Sequence, residues 1–454
     1  MASGAGIRRG PVGPPIHRCR LSRCQATGPR LQRCIRCKVV RYCGPGHQLA
    51  DKDSHTQTCR QLVIARTRLD IEHYLICNAG TSANAFETSV GYFWEIKSTR
   101  PYMRVRLALA KEILLPLGTL DSVQEAHDHL RDMLRLCRMD TMAVRYILPC
   151  IMLRLDMDQE CYDFVKWWVT SGKNGGWGDL TLPYLDIHGA DAFEHPQFLF
   201  GKDTSLSYVV AVLVLKLKLL VDVLNTKATR KVLARRSLPN EPRARIEQAV
   251  VRSPLSGNLY SQSYKTLSKI EQWLLTQVRK LGINITKINQ YFMPDLFDPD
   301  EALTATAGTF CEDSLGPVNE SDGAIQHSYA TWWSTEGVLG RLDSARDCAV
   351  RASKPVVEDM MASETYRKNL GSHVTAEELQ AKDGLRCLWR YLDYAVRDAT
   401  YLGPWVERPS EVNSKGDGRA LFGTEWGISV RNGALSVSEV NGSSLETGMA
   451  CRED

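Results

Sequence analysis

The chain has 454 residues, 43% of them hydrophobic and 24% charged, which is enough apolar material for two to three globular domains and excludes a wholly disordered chain. Its net charge of +5 is unevenly placed: residues 1–60 hold twelve Lys/Arg against two Asp/Glu, or +10, which leaves −5 for the rest. No run of eighteen apolar residues exists. The strongest candidate, 208–224, is interrupted by Lys216, Lys218 and Asp222, so no membrane span is expected.

Residues 1–18 are expected to be disordered, and Pro11, Pro14 and Pro15 stand where a signal peptide needs its apolar segment. That points to an intracellular chain with reduced thiols, nucleus and cytoplasm left open. Six of the fourteen cysteines fall before residue 60, in a segment with few aliphatic residues, so metal rather than an apolar core must hold it. The candidate ligands are Cys19, Cys24, Cys34, Cys37, Cys43, His47, His55 and Cys59. Eight ligands divide into two tetrahedral sets, which predicts two zinc ions with every position filled by Cys or His. Cys34 and Cys37 are separated by two residues, as in a zinc knuckle; 45–58 reads as short helical turns, and His55 and Cys59, four apart, share one helix face. Closed sites offer no water for activation, so hydrolytic zinc chemistry is disfavoured.

With Cys34, Cys37, Tyr42-Cys43, His47, His55 and Cys59 in this order, residues 19–59 resemble the MYND zinc-finger family. The resemblance implies interleaved ligands: one zinc on Cys19, Cys24, Cys43 and His47, the other on Cys34, Cys37, His55 and Cys59. Two departures stand out. Four residues rather than two separate Cys19 from Cys24, which leaves His17 as a substitute for Cys19 or as an exposed flanking residue, and Lys52 occupies a position where the family often has Trp.

Beyond residue 60 the pattern is helical, giving a mainly α fold. A helical domain is expected over 61–292. Residues 101–117 form one amphipathic helix ended by Gly118; Asp121 opens a second through Val123, Ala126, Leu130, Met133 and Leu134; Asp140 starts a third. Residues 113–117 and 151–155 are alike at a spacing of thirty-eight, so the body is either a tetratricopeptide-like α-solenoid of helix pairs or a non-repeating helical domain. A helix over 161–169 carries Trp167 and Trp168, glycines at 172–178 make a turn, and 208–224 is apolar all round, hence central. Residues 235–256 read as an exposed loop, 264–281 as a helix, and 293–322 as an insertion or linker. A helical region at 323–405 follows, with helices over 326–352, including Trp332 and Trp333, and over 375–401, where Thr375 and Glu378 suit a capping box. Core packing is preferred to a ligand groove for both tryptophan pairs. No strand-rich region is expected, and 406–454 is expected to be mostly disordered, with Leu421, Phe422 and Trp426 as a short docking motif. From Tyr102 to Trp168 the body is similar to that of fungal MYND-finger proteins of unassigned function.

No catalytic seat is visible. The MYND-containing lysine methyltransferases need an Asn-His-Ser segment and sequence ahead of the finger; no histidine here follows Asn, and nucleotide-binding, serine-hydrolase and zinc-protease signatures are lacking. His127 and His129, two apart on a helix, read as solvated side chains. The resemblance implies an adaptor that binds proline-containing segments of partner proteins, possible roles being transcriptional or developmental regulation, with Arg30, Arg33, Arg36, Lys38 and Arg41 near the knuckle facing acidic partners. Nucleic-acid binding through the basic finger is the alternative and methyl transfer a remote one.

Overall fold

The computed structural model describes residues 15–78, 84–202, 204–235, 238–305, 317–335, 337–363, 374–397, 427–431 and 434–438. Strands β1 (Gln32–Arg33) and β2 (Arg41–Tyr42) pair antiparallel, with Gln32 opposite Tyr42. Helices α1 (Pro45–Ala50) and α2 (Lys52–Cys77) follow. Along α2, His55, Leu62, Leu69 and Ile76 recur every seven residues and form its buried side. The expected boundary between finger and body at residues 59–61 therefore falls inside a continuous helix, and the two are joined without a linker.

After α3 (Ala85–Thr88), α4 (Arg100–Ala108) runs through a π-helical turn (Leu109–Leu114) into α5 (Leu115–Leu117). Pro116 has no N–H for the residue 112 carbonyl, and the wide turn before it accommodates the missing bond. Gly118, expected to end the helix, does so in the left-handed conformation, at φ +63. Helix α6 (Leu120–Leu136) begins one residue before Asp121, because Thr119 is the N-cap and forms a reciprocal capping box with Ser122. Helices α7 (Leu148–Arg154) and α8 (Asp158–Val169) come next, and Asp140 accepts the Val144 and Arg145 amides ahead of α7.

The centre is α9 (Leu206–Leu233), which packs against α7, α8, α10 (Asn240–Ala249), α11 (Tyr264–Ile288), α14 (Pro317–Ser334) and α15 (Val338–Ala362). Thr331 of α14 donates to the Cys150 carbonyl of α7 at 2.8 Å, a contact spanning 181 residues. A solenoid confines each helix pair to its sequence neighbours. Here distant segments converge on one helix, so the likeness of 113–117 to 151–155 reflects two helix ends and does not set up a repeat. Helix α16 (Ala376–Arg397) packs on α11 and α15; Trp389 lies so close over Gly282 that an added Cβ would sit 2.1 Å from its ring.

Several expectations are corrected. Residues 235–256 contain α10 rather than only a loop, because Glu247 is drawn inward by Arg230, Nε to Oε2 at 2.8 Å. Residues 293–322 hold α12 (Phe292–Phe297), α13 (Asp300–Thr304) and the start of α14, with Met293, Leu296, Ala302 and Ser321 buried, so the described part is core, not linker. The helix expected over 326–352 is broken at Gly337, φ +76. The reading of 406–454 as mostly without structure is not overturned: its described residues are β3 (Gly427–Arg431) and β4 (Ala434–Ser438), an antiparallel hairpin, and Leu421, Phe422 and Trp426 lie outside the described residues. Trp167, Trp168 and Trp332 are buried, in line with core packing. His127 is buried and His129 accepts from Arg106 Nε at 3.2 Å, so neither is simply solvated.

Lys216, Lys218 and Asp222, which interrupt the apolar run, are all buried in α9. Lys216 Nζ donates to the carbonyls of Ala192 and Glu194; Lys218 Nζ reaches Asp156 and Asp158 at 2.8 and 2.9 Å; Asp222 accepts the amides of Arg252 and Ser253. These charges stitch surrounding loops to the central helix. No described helix is long and apolar enough to cross a membrane. Breaking one partner of a buried ion pair leaves the others uncompensated and typically costs about 3–5 kcal/mol. Lys218→Met is therefore expected to lower unfolding free energy by about that amount in a urea titration, and adding Asp158→Asn should recover part of the loss; a change under about 1 kcal/mol in the single variant would contradict the role given to this triad.

Candidate metal centre

The structure brings the eight sequence-predicted ligands together in two groups: Cys19, Cys24, Cys43 and His47 in one, Cys34, Cys37, His55 and Cys59 in the other, with the ligand atoms of each group within 4.8 Å of one another. This is the interleaved division that the resemblance implied. Zinc–sulfur bonds of about 2.3 Å and zinc–nitrogen bonds of about 2.0–2.1 Å give tetrahedral edges of about 3.8 Å between sulfurs and about 3.6 Å between sulfur and nitrogen. In the first group Cys24 and Cys43 sulfurs are 3.8 Å apart and Cys19 Sγ lies 3.6 Å from His47 Nδ1; Cys43 Sγ is closer to the same nitrogen, 3.0 Å. In the second, Cys34 and Cys59 sulfurs are 4.0 Å apart, and His55 Nε2 lies 3.6 Å from Cys37 and 3.4 Å from Cys34. Donor types and every edge but the short Cys43–His47 one fit four-coordinate zinc, with Nδ1 facing the sulfurs in one group and Nε2 in the other.

Local backbone explains how the ligands converge. The amide of Cys24 donates to the Leu21 carbonyl at 2.8 Å, making a turn that absorbs the four-residue gap after Cys19. Cys19 is held by its amide to the Ala26 carbonyl at 2.9 Å and is buried in its group. In the knuckle, the Lys38 amide donates to the Cys34 carbonyl at 2.9 Å, and Lys38 takes φ +60. Burial opposes ionisation of Cys34, but the amides of Cys37 and Arg36 and the thiols of Cys37 and Cys59 outweigh it and hold its pKa below the ordinary thiol value. Burial pushes Cys37 up to about 12. Zinc loading must displace that proton, so metal is held less tightly as pH falls.

His17 is neither a ligand nor exposed. It is buried with Nδ1 3.7 Å from Asp121, and burial followed by the Arg41 charge lowers its pKa to about 4, so it stands neutral in the contact between finger and body. Lys52 is exposed at the start of α2.

Residues outside the ligand set fix the finger, and their target is not legible from local spacing. Asp121 accepts from Arg41 Nε at 2.6 Å and Nη2 at 2.9 Å, and from Arg33 Nη2 at 2.7 Å. Thr119 Oγ1 donates to the Val39 carbonyl at 2.6 Å, and Arg66 joins the Cys37 carbonyl to Glu125. Within the finger, Asp51 accepts from Tyr42 Oη at 2.7 Å and lies 3.0 Å from Arg20 Nε. Arg41 is thus consumed by a buried ion pair and is unavailable to an outside partner. Arg30, Arg36 and Lys38 remain exposed, as do Ile35, at 87%, and Leu49, at 71%.

Two closed Cys/His groups in a small, core-poor segment define a structural zinc module, in which metal supplies the fold and the outer surface supplies the contact. Residues 19–59 match the family model of the MYND finger, and this segment is a MYND finger, a zinc-binding protein-interaction domain. No curated protein and no solved structure matches the chain. Native mass spectrometry is expected to give two zinc ions per chain for the wild type and one for Cys59→Ser or Cys24→Ser; two ions in either variant would contradict the ligand groups.

Proposed function

We propose that this chain is a non-enzymatic intracellular adaptor whose MYND finger recognises extended, proline-containing segments of partner proteins involved in transcriptional or developmental regulation. The observation that carries the reading is the outward face of the finger. Both four-residue groups leave no coordination position for a substrate, while Ile35 stands exposed in the knuckle beside Arg36 in sequence, and Leu49, Arg30 and Lys38 are exposed elsewhere on the finger. A fixed, shallow surface suits a ligand that is already extended, and proline reduces the entropy lost on docking. Apolar side chains would pack against the isoleucine and leucine, and carboxylates beside the proline would meet the free cations. Such contacts between exposed charges weaken as salt rises.

The test is a titration of the zinc-loaded full chain with labelled proline-containing peptides that carry acidic flanks, read by fluorescence anisotropy. Saturable binding is expected, weakened about tenfold or more by Ile35→Asp, a loss of about 1.4 kcal/mol, and reduced by Arg36→Glu with the zinc count unchanged. Absence of binding at millimolar peptide, or binding indifferent to both substitutions, would overturn the proposal.

A further inference from the structure

The remaining unexplained charge lies far from the finger in sequence, on α11. The residues of this helix that face solvent are Tyr264, Lys265, Lys269, Gln272, Trp273, Thr276, Lys280, Ile283 and Lys287. Four are lysines and none is acidic, although residues 61–454 together carry −5. The one carboxylate of the helix, Glu271, points inward to Lys227, and Arg279 is taken by Asp393. No ion pair joins Lys265, Lys269, Lys280 or Lys287 to a described carboxylate; Lys280 Nζ instead lies 3.2 Å from His195 Nε2. At a helical rise of about 1.5 Å per residue the lysines extend over roughly 33 Å.

Trp273 stands in this row, 48% exposed. Its indole N–H donates to the Phe193 carbonyl at 2.8 Å, and His195 packs edge-on against it with ring centroids 6.1 Å apart, so the ring is held in place while part of it faces solvent. Beside it the helix surface is open and shallow, lined by Lys265, Ser268, Lys269, Gln272, Trp273 and Thr276, all from α11 itself. A fixed aromatic platform between ammonium groups that no described carboxylate neutralises is the arrangement by which bases stack while phosphates are neutralised.

We propose that the solvent face of α11 binds single-stranded nucleic acid, with a base stacked on Trp273 and the phosphate backbone following Lys265, Lys269, Lys280 and Lys287. This surface is separate from the finger and from the peptide recognition proposed for it. A lipid surface suits the face less well: the indole N–H is already satisfied within the protein and cannot anchor at headgroups, and the apolar side of α11 is packed into the core, with Leu274, Leu281 and Ile285 buried.

The experiment measures anisotropy of a labelled single-stranded oligothymidylate with the zinc-loaded full chain at low salt, with anionic phosphatidylserine vesicles as a parallel arm. Binding should fall steeply with salt. Lys269→Glu with Lys280→Glu should weaken it at least tenfold, and Trp273→Ala should weaken it several-fold. Trp273→Phe, which keeps a stacking ring, should retain most of it, and all three should keep the wild-type circular dichroism. Arg36→Glu on the finger should leave it unchanged. The proposal is overturned by no oligonucleotide binding at low salt, by binding insensitive to the α11 changes or abolished by Arg36→Glu, or by vesicle binding in place of oligonucleotide binding.

Discussion

Asp121 sits in the first turn of α6, almost excluded from solvent, with two guanidinium groups on its oxygens. Burying a carboxylate and an arginine costs several kcal/mol each unless geometry and hydrogen bonding are close to complete. Here they nearly are: Arg41 meets the carboxylate in a two-bond fork through Nε and Nη2, and its Nη1 donates to the carbonyls of Pro29 and Leu31, 3.2 and 3.3 Å away. The N-terminus of α6 adds a favourable dipole for negative charge. The finger's own backbone is thereby wound around a cation that belongs to the body's carboxylate.

The consequences run in both directions along α2. Its first turns supply His55 and Cys59 to one metal group, and its later turns put Leu69 and Ile76 into the core. Zinc therefore orders the start of a helix that the body also needs, and the body holds a finger whose forty residues could bury little apolar surface alone. Fixing the finger on one side also determines what it offers on the other. Arg41 and His17 are turned inward, and the residues left to solvent include Ile35, Leu49, Arg30, Arg36 and Lys38.

Much of this was legible from residue types and spacing, for local reasons. Metal ligands must be Cys or His at short separations, so all eight could be named, whereas their division into groups needed the family's pattern because spacing alone permits several. Helix α6 follows from the periodicity of its apolar residues, and the central place of α9 from a run that is apolar all round. What escaped the sequence is long-range. Asp121 reads as an ordinary first-turn acid, and nothing local says that Arg41, eighty residues earlier, will meet it. Lys216 and Lys218 read as exclusions of a membrane helix, and only the fold shows Asp156, Asp158 and the 192–194 carbonyls waiting for them. Residues 293–305 look like a linker by composition because Pro, Asp and Glu stand between their apolar side chains, of which Met293, Leu296 and Ala302 are buried and Phe297 and Leu303 pack against the core.

The central claim is that finger and body form one unit joined through α2 and the Asp121 contact. Amide hydrogen exchange on the full chain, before and after zinc is stripped, tests it most directly. The account predicts faster exchange through residues 16–60 that spreads into the middle of α2 and the first turn of α6, with α9 and α11 still protected. Faster exchange that stops at residue 60, with α2 beyond it and α6 unchanged, would show that the finger is an independent module and contradict the account.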